Sequence, residues 1–239
     1  NPLVVLEDAD LDMAAQATAL GAFGSTGQRC TATSRAIVVD SVADAFVSRI
    51  LKHASNIVVG DGSLEQTTMG PCVDQNQLET VLSYIEVGKR DGARLLCGGE
   101  RLLEDAFAKG YFVTPTVFDN VKPEMRIAQE EIFGPVLSVI RVPNLETAIE
   151  VANGVAYGLS SSIYSRDVER VLRFVTQIET GITHINSPTM GGEAQVPFGG
   201  MKATGVGQRE MGKTAIEFYT ELKTVYVDFT GQARQTKVY

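Results

Sequence analysis

One cysteine stands where a nucleophile could work. Cys30 sits in Phe23-Gly24-Ser25-Thr26-Gly27-Gln28-Arg29-Cys30-Thr31-Ala32-Thr33-Ser34-Arg35, between an apolar helical run and the strand-like Ala36-Ile37-Val38-Val39. Glycines at 24 and 27 permit a tight turn and a close approach of backbone to ligand. The small residues after Cys30 leave room beside the sulfur, and supply hydroxyls and N–H groups to meet a developing negative charge. An inert packed cysteine fits the same loop. The loop alone leaves both readings open. Cys72 and Cys97 have no such surroundings and read as structural. His184 falls in a predicted strand and reads as a core histidine, and His53 lies late in a helix, near its negative end. No cysteine–histidine spacing suits zinc.

The elements that must carry this loop follow from hydrophobic periodicity. Leu3–Leu6 is a buried strand. A helix runs from Leu11 to Phe23, with Asp8 or Asp10 as its cap. Ala36–Val39 is the next strand, and Asp40-Ser41 caps a helix from Val42 to about Asn56. Ile57–Gly60 is a strand end. Asp74–Asp91 is a helix with Leu78, Val81, Leu82 and Ile85 as its stripe, and a short strand through Leu95 follows. Tyr111–Phe118 is strand-like, and Pro115 within it predicts a sheet edge. Then come a strand at Val136–Val142, a helix at Leu145–Asn153 and a strand at Ser160–Tyr164. A helix at Asp167–Ile178 turns Val171, Leu172 and Val175 inward, and a strand at Gly181–Asn186 completes the series. This alternation predicts an α/β fold, a largely parallel sheet with helices on both faces. Ser187–Gly212 is a long loop with seven glycines, a pattern that is functional or disordered in a compact domain. Glu217–Phe229 ends a helix and alternates as a strand through Val225, Val227 and Phe229. Such a terminal strand pairs outside its own core. Thr230–Tyr239 reads as a polar tail.

Composition narrows the function. The chain has 239 residues, 44% hydrophobic and 21% charged, with a net charge of −8. The acidity argues against a nucleic-acid backbone or an anionic membrane as partner. No run approaches a membrane span, and no signal peptide is visible. Three widely spaced cysteines suit a reducing compartment, hence a cytoplasmic protein. The chain opens on Asn1-Pro2 without an initiator Met and enters a strand at once, which suggests that it starts mid-fold.

Five segments in order resemble the aldehyde dehydrogenase superfamily. Gly27-Gln28-Arg29-Cys30-Thr31-Ala32 is similar to its nucleophile motif, and Glu130-Glu131-Ile132-Phe133-Gly134-Pro135-Val136 to its second signature. Asn186-Ser187-Pro188 and Pro197-Phe198-Gly199-Gly200-Met201-Lys202 resemble its late loop, as does Gly205-Val206-Gly207-Gln208-Arg209-Glu210-Met211-Gly212. The resemblance implies that Cys30 attacks an aldehyde, that hydride passes to NAD or NADP, and that water hydrolyses the thioester to an acid. It implies that Glu131 holds the nicotinamide ribose, since a carboxylate can accept from both ribose hydroxyls, and that Phe133 packs near the nicotinamide. A solvated acid and a core aromatic are the plain readings of those two residues, and Glu130 is the weaker member of its pair. Arg29, Thr31, Asn186 and Phe198 fall in the implied substrate pocket, with Glu193 another possible reader of a polar substrate. The late loop resembles that of members acting on semialdehydes such as 2-oxoglutarate semialdehyde.

The same resemblance divides the chain into a catalytic domain, 1–220, and an oligomerisation strand and tail, 221–239. The strand at 222–229 would join neighbouring subunits in a homodimer or homotetramer. The family's amino-terminal cofactor domain, water-activating glutamate and oxyanion-hole asparagine are expected upstream of Asn1. Two rivals stay open: a reductase of an acyl phosphate or acyl-CoA, and a non-catalytic assembly domain. With those upstream groups absent, the 239-residue chain alone should show no steady-state turnover of an aldehyde with NAD. NADH fluorescence checks this, and sustained turnover would refute it.

Overall fold

The computed structural model describes residues 1–104 and 107–232. Tail residues 233–239 of the expected segment lie outside the described residues. The core is a seven-stranded sheet in the order β3-β4-β5-β2-β1-β7-β8. Its strands are β1 (Pro2–Val5), β2 (Arg35–Val39), β3 (Arg94–Cys97), β4 (Thr116–Asp119), β5 (Val136–Val142), β7 (Ser160–Tyr164) and β8 (Ile182–Ile185). Every pairing is parallel except β3 with β4. A small antiparallel pair, β6 (Tyr157–Gly158) and β9 (Met201–Lys202), stands apart.

Alternate residues of the central strands point to two separate cores. Val4, Ile37 and Ile140 join one with Leu78, Val81, Ile85, Ala148 and Phe174. Leu3, Val5, Ala36 and Val139 join the other with Ala14, Ala15, Phe23, Phe46 and Ile50. One face is therefore covered by α3 (Gln75–Arg90), α5 (Leu145–Asn153) and α6 (Val168–Gln177), the other by α1 (Leu11–Phe23) and α2 (Asp40–Ser55). Strands buried on both faces read as unbroken apolar runs, as these do. The expected largely parallel α/β sheet with helices on both faces is what forms. A short helix α4 (Arg126–Gln129) precedes β5, and α7 (Gly212–Tyr219) follows the glycine-rich loop.

Helix starts follow side-chain capping in most cases. Asp10, Asp74, Asn144 and Asp167 each accept a backbone N–H of the first turn they cap. Asp8 instead joins β1 to the β7–α6 loop, accepting from the Ser165 hydroxyl at 2.9 Å and the Arg166 N–H at 2.7 Å. These bonds hold its carboxyl below the usual range against the opposing effect of burial, the largest single influence.

Several expectations need correction. Pro115 does not mark an edge: β4 begins after it, at Thr116, and lies between β3 and β5. Proline outside the ladder costs it no donor, and the edges are β3 and β8. Asp40-Ser41 cap nothing, because α2 follows β2 directly with Val39 at the cap position and no side-chain bond. Ile57–Gly60 contributes a single bridge, Val59 to Met69. On α6 the buried residues are Val171 and Phe174, while Leu172 is 58% exposed and Val175 40% exposed. The helix is short, and one narrow stripe meets the sheet. Residues 220–230 pair with no strand among the described residues, and Leu222, Val225, Val227 and Phe229 stand exposed.

The revised face of α6 is directly testable. Phe174→Ala should cost about 3–5 kcal/mol by cavity formation, whereas Leu172→Ala should stay within about 0.5 kcal/mol. Urea unfolding of both variants measures the contrast, and equal losses would restore the original assignment.

Candidate active site

Four parallel strands start at one cavity of about 320 Å3: Pro2, Arg35, Val136 and Ser160, the first residues of β1, β2, β5 and β7, all line it. The cavity thus opens at the amino ends of the strands. In open parallel sheets ligands commonly sit beyond the carboxyl ends, so loops entering the strands build this site.

The first is the cysteine loop. After α1 the chain passes through a tight turn, Gly24–Gly27, in which Ser25 and Thr26 adopt left-handed backbone at φ 52° and 59°. Such geometry in residues with a Cβ costs roughly 1–2 kcal/mol each. Neighbours hold it in place. The Thr26 hydroxyl donates to Gly70 O at 3.0 Å, and Gln28 Oε1 accepts from the Val73 N–H at 3.0 Å. Cys30 then occupies the second position of a β-turn closed by Ala32 N–H to Arg29 O at 3.0 Å. It is exposed and lines the cavity.

The second loop, Glu130–Pro135, joins α4 to β5. It meets the first backbone to backbone: a Cβ built on Gly27, itself at φ +67°, would lie 2.1 Å from Gly134 O. Only glycine fits there. On the far side Gln77 of α3 donates to both Ile132 O and Phe133 O at 2.9 Å. Phe133, at φ 56°, leaves its ring exposed on the cavity wall.

The neighbouring glutamates differ sharply. Arg126 grips Glu130 through both carboxylate oxygens at 3.0 and 2.8 Å, and the Tyr84 hydroxyl donates at 2.7 Å. These bonds, Arg126 first, hold the Glu130 carboxyl down to about 2. Glu131 has no hydrogen bond or ion pair among the described residues, and it lines the same cavity as Cys30. Arg29 is likewise unpaired, exposed and on the wall.

Of the residues expected from sequence, the fold brings Arg29, Cys30, Glu131 and Phe133 together. Thr31, Asn186 and Phe198 do not line this cavity. Asn186 uses its side chain on the backbone of Ser165, accepting from its N–H and donating to its carbonyl, each at 3.0 Å. Phe198 pairs its backbone with Glu210. The Glu193 carboxylate accepts from Gln195. Sequence reasoning missed Asn1, Thr189 and Ser160 around the cysteine loop. No local signal marks them, because each meets the loop only across a long sequence separation. Of the remaining cysteines, Cys72 is buried and its thiol is pushed up to about 11 by burial. Burial likewise raises the half-buried Cys97, whose thiol donates to Pro115 O. His184 is half-buried, and burial lowers its pKa.

The model of the aldehyde dehydrogenase family matches residues 1–225. The chain belongs to that family. Over 227 residues it is 48% identical to the alpha-ketoglutaric semialdehyde dehydrogenase of Bacillus subtilis (strain 168), covering 95% of this chain and 46% of that one. Among solved structures it is similar to an NAD-dependent aldehyde dehydrogenase from Sinorhizobium meliloti, at 38% identity and a TM-score of 0.91, covering 98% of this chain and 45% of that one. It is also similar to a 1-pyrroline-5-carboxylate dehydrogenase from Thermus with bound NAD, at 44% identity and a TM-score of 0.80, covering 84% and 38%. This aldehyde dehydrogenase chain thus spans less than half the length of each.

Accessibility should rank the thiols. Iodoacetamide under native, mildly alkaline conditions should alkylate Cys30 first, Cys97 more slowly and Cys72 only on unfolding. Peptide mass spectrometry reads the order, and early labelling of Cys72 would contradict the burial described.

Proposed function

We propose that residues 1–220 form the catalytic domain of an NAD(P)-dependent aldehyde dehydrogenase, with Cys30 as the nucleophile. The carrying observation is convergence. Two loops distant in sequence place an exposed thiol, an unpaired carboxylate and an exposed aromatic ring on one cavity.

The chemistry follows from those groups. The Cys30 thiolate adds to the aldehyde carbon, forming a C–S bond and a thiohemiacetal. The Cys30 N–H has no acceptor among the described residues, which leaves it free to meet the oxyanion. Held by Glu131 and Phe133, NAD(P)+ would supply the hydride acceptor for oxidising the thiohemiacetal on Cys30 to a thioester. Hydrolysis then releases the acid and returns the thiol. Glu131, with no hydrogen bond among the described residues, can accept both hydroxyls of a ribose, and the Phe133 ring can flank a nicotinamide. At about 320 Å3 the cavity is near the lower limit of ligand pockets, which start at roughly 300 Å3. It suits one end of a dinucleotide with a small aldehyde rather than the whole cofactor.

A semialdehyde bearing a distal carboxylate is the substrate class we favour. Arg29 is an unpaired guanidinium on the cavity wall, and the Bacillus subtilis relative is a semialdehyde dehydrogenase by name. Thr31, Asn186 and Phe198 remain candidate pocket residues through their motifs alone. The exposed apolar residues of the arm at 222–229 fit pairing with a second copy, in a homodimer or homotetramer. No helix among the described residues is long and apolar enough to cross a membrane, and unpaired cysteines suit the cytoplasm.

The test is kinetic and uses the whole protein. Cys30→Ala should remove oxidation of 2-oxoglutarate semialdehyde by at least ~1,000-fold. Glu131→Gln should raise the KM for NAD about tenfold, equivalent to ~1.4 kcal/mol, while Glu130→Gln should not. Retained turnover in Cys30→Ala would discard the mechanism.

A further inference from the structure

Every carbonyl of the turn that carries Cys30 is occupied, one by the turn's own N–H and three by side chains from outside it. Arg29 O accepts the Ala32 N–H that closes the turn. Cys30 O accepts from Asn1 Nδ2 at 2.9 Å, and the same nitrogen donates to Ala32 O at 2.7 Å. Thr31 O accepts from the Thr189 hydroxyl at 2.8 Å. Asn1 is itself anchored, its Oδ1 accepting from the Ser160 N–H at 3.0 Å.

Thr189 is fully buried. Its one hydroxyl proton goes to Thr31 O, so the 2.8 Å contact with the Thr33 hydroxyl must have Thr33 as donor. Its own carbonyl accepts from the Ser160 hydroxyl at 2.6 Å. A chain of buried hydroxyls therefore runs from β7 and the late loop to the cysteine turn. Bulk behind Thr33 is excluded as well: a Cβ on Gly21 would lie 2.1 Å from its hydroxyl.

A peptide unit is planar and trans, so fixing its carbonyl fixes the direction of its N–H. Asn1 holds Cys30 O and so sets the Thr31 N–H; Thr189 holds Thr31 O and so sets the Ala32 N–H, whose bond to Arg29 O in turn sets the Cys30 N–H. The Cys30 and Thr31 N–H groups have no acceptor among the described residues. The carbonyls are occupied and the donors are left open.

We propose that Asn1 and Thr189 are positioning residues that clamp this turn, keeping the Cys30 and Thr31 N–H groups aimed at the oxyanion formed when the sulfur adds to a carbonyl. The proposal rests on Cys30 being the nucleophile. It assigns to Asn1 and Thr189 no contact with substrate; they act through the backbone.

Two reactions of the same thiol separate this role from a merely structural one. Acetyl transfer from p-nitrophenyl acetate forms a C–S bond, passes through an oxyanion and expels p-nitrophenolate. Alkylation by iodoacetamide forms a C–S bond with loss of iodide and no oxyanion. In the whole protein, Thr189→Val should slow acetylation of Cys30 by ~10–100-fold, the scale of a misaimed or lost oxyanion donor. Alkylation should change by less than ~3-fold, because it follows thiolate nucleophilicity alone. Thr189→Ser, which keeps the hydroxyl, should recover most of the acetylation rate. Asn1→Ala should show the same split, and it decides the matter if Thr189→Val fails to fold by thermal melting. Equal slowing of both reactions, an unchanged acetylation rate, or no recovery in Thr189→Ser would overturn the clamp. A wild-type Cys30 that takes no acetyl group would instead overturn the nucleophile assignment itself, and the clamp with it.

Discussion

Everything at the site depends on one close approach of backbone to backbone, Gly27 against Gly134. No side chain fits between them. The contact presses the cysteine loop onto the loop that carries Glu131 and Phe133, so the Cys30 thiol shares one cavity with that carboxylate and that ring. A side chain at Gly27 would drive the loops apart, and one at Gly134 would strike Val81 of α3. The neighbouring left-handed residues, Ser25, Thr26 and Phe133, are consequences of the same demand. Hydrogen bonds from Thr26, Gln28 and Gln77 offset that local strain.

The sheet makes such an approach possible. Its central strands are buried on both faces and begin at nearly the same level, so four entering loops converge at one end. Rigidity matters here because loops anchored on fixed strand ends hold their side chains more precisely than free loops do. Buried polar groups around the site extend that rigidity. Arg35 donates to Val151 O and Ala152 O at the end of α5, and Ser160, Thr33 and Thr189 link three elements through hydroxyls. Each of these groups is paired, which is what makes its burial tolerable.

Charge is distributed with the same economy. Two adjacent glutamates share a motif, yet one is held by Arg126 and Tyr84 while the other faces the cavity with no hydrogen bond among the described residues. An ion-paired carboxylate has spent its acceptor capacity and is poorly suited to gripping a ligand. Glu130 therefore acts on the protein, bracing α4 against α3 through Tyr84, and Glu131 is free to act on something else. The same distinction separates Arg29, unpaired at the cavity, from Arg141, which is held by Asp119 and Asp44.

The amino-acid sequence by itself determined the order and type of most elements, because periodicity and caps are written within a few residues. Asp10, Asp74 and Asp167 announce their helices locally, and the apolar runs announce strands buried on both sides. The motif around Cys30 was legible for the same reason. Tertiary structure decided what local signals could not contain. Pro115 resembled an edge marker until β4 was seen to start after it, and Leu172 joined an apolar stripe whose buried half is only Val171 and Phe174. Asn186 belonged to a conspicuous motif, yet its amide is consumed by Ser165. Which residues meet around Cys30, and that Asn1 and Thr189 hold its turn, depends on contacts between segments far apart in the chain. Such contacts arise only when the sheet brings its strand ends to one place, so no window of sequence can display them.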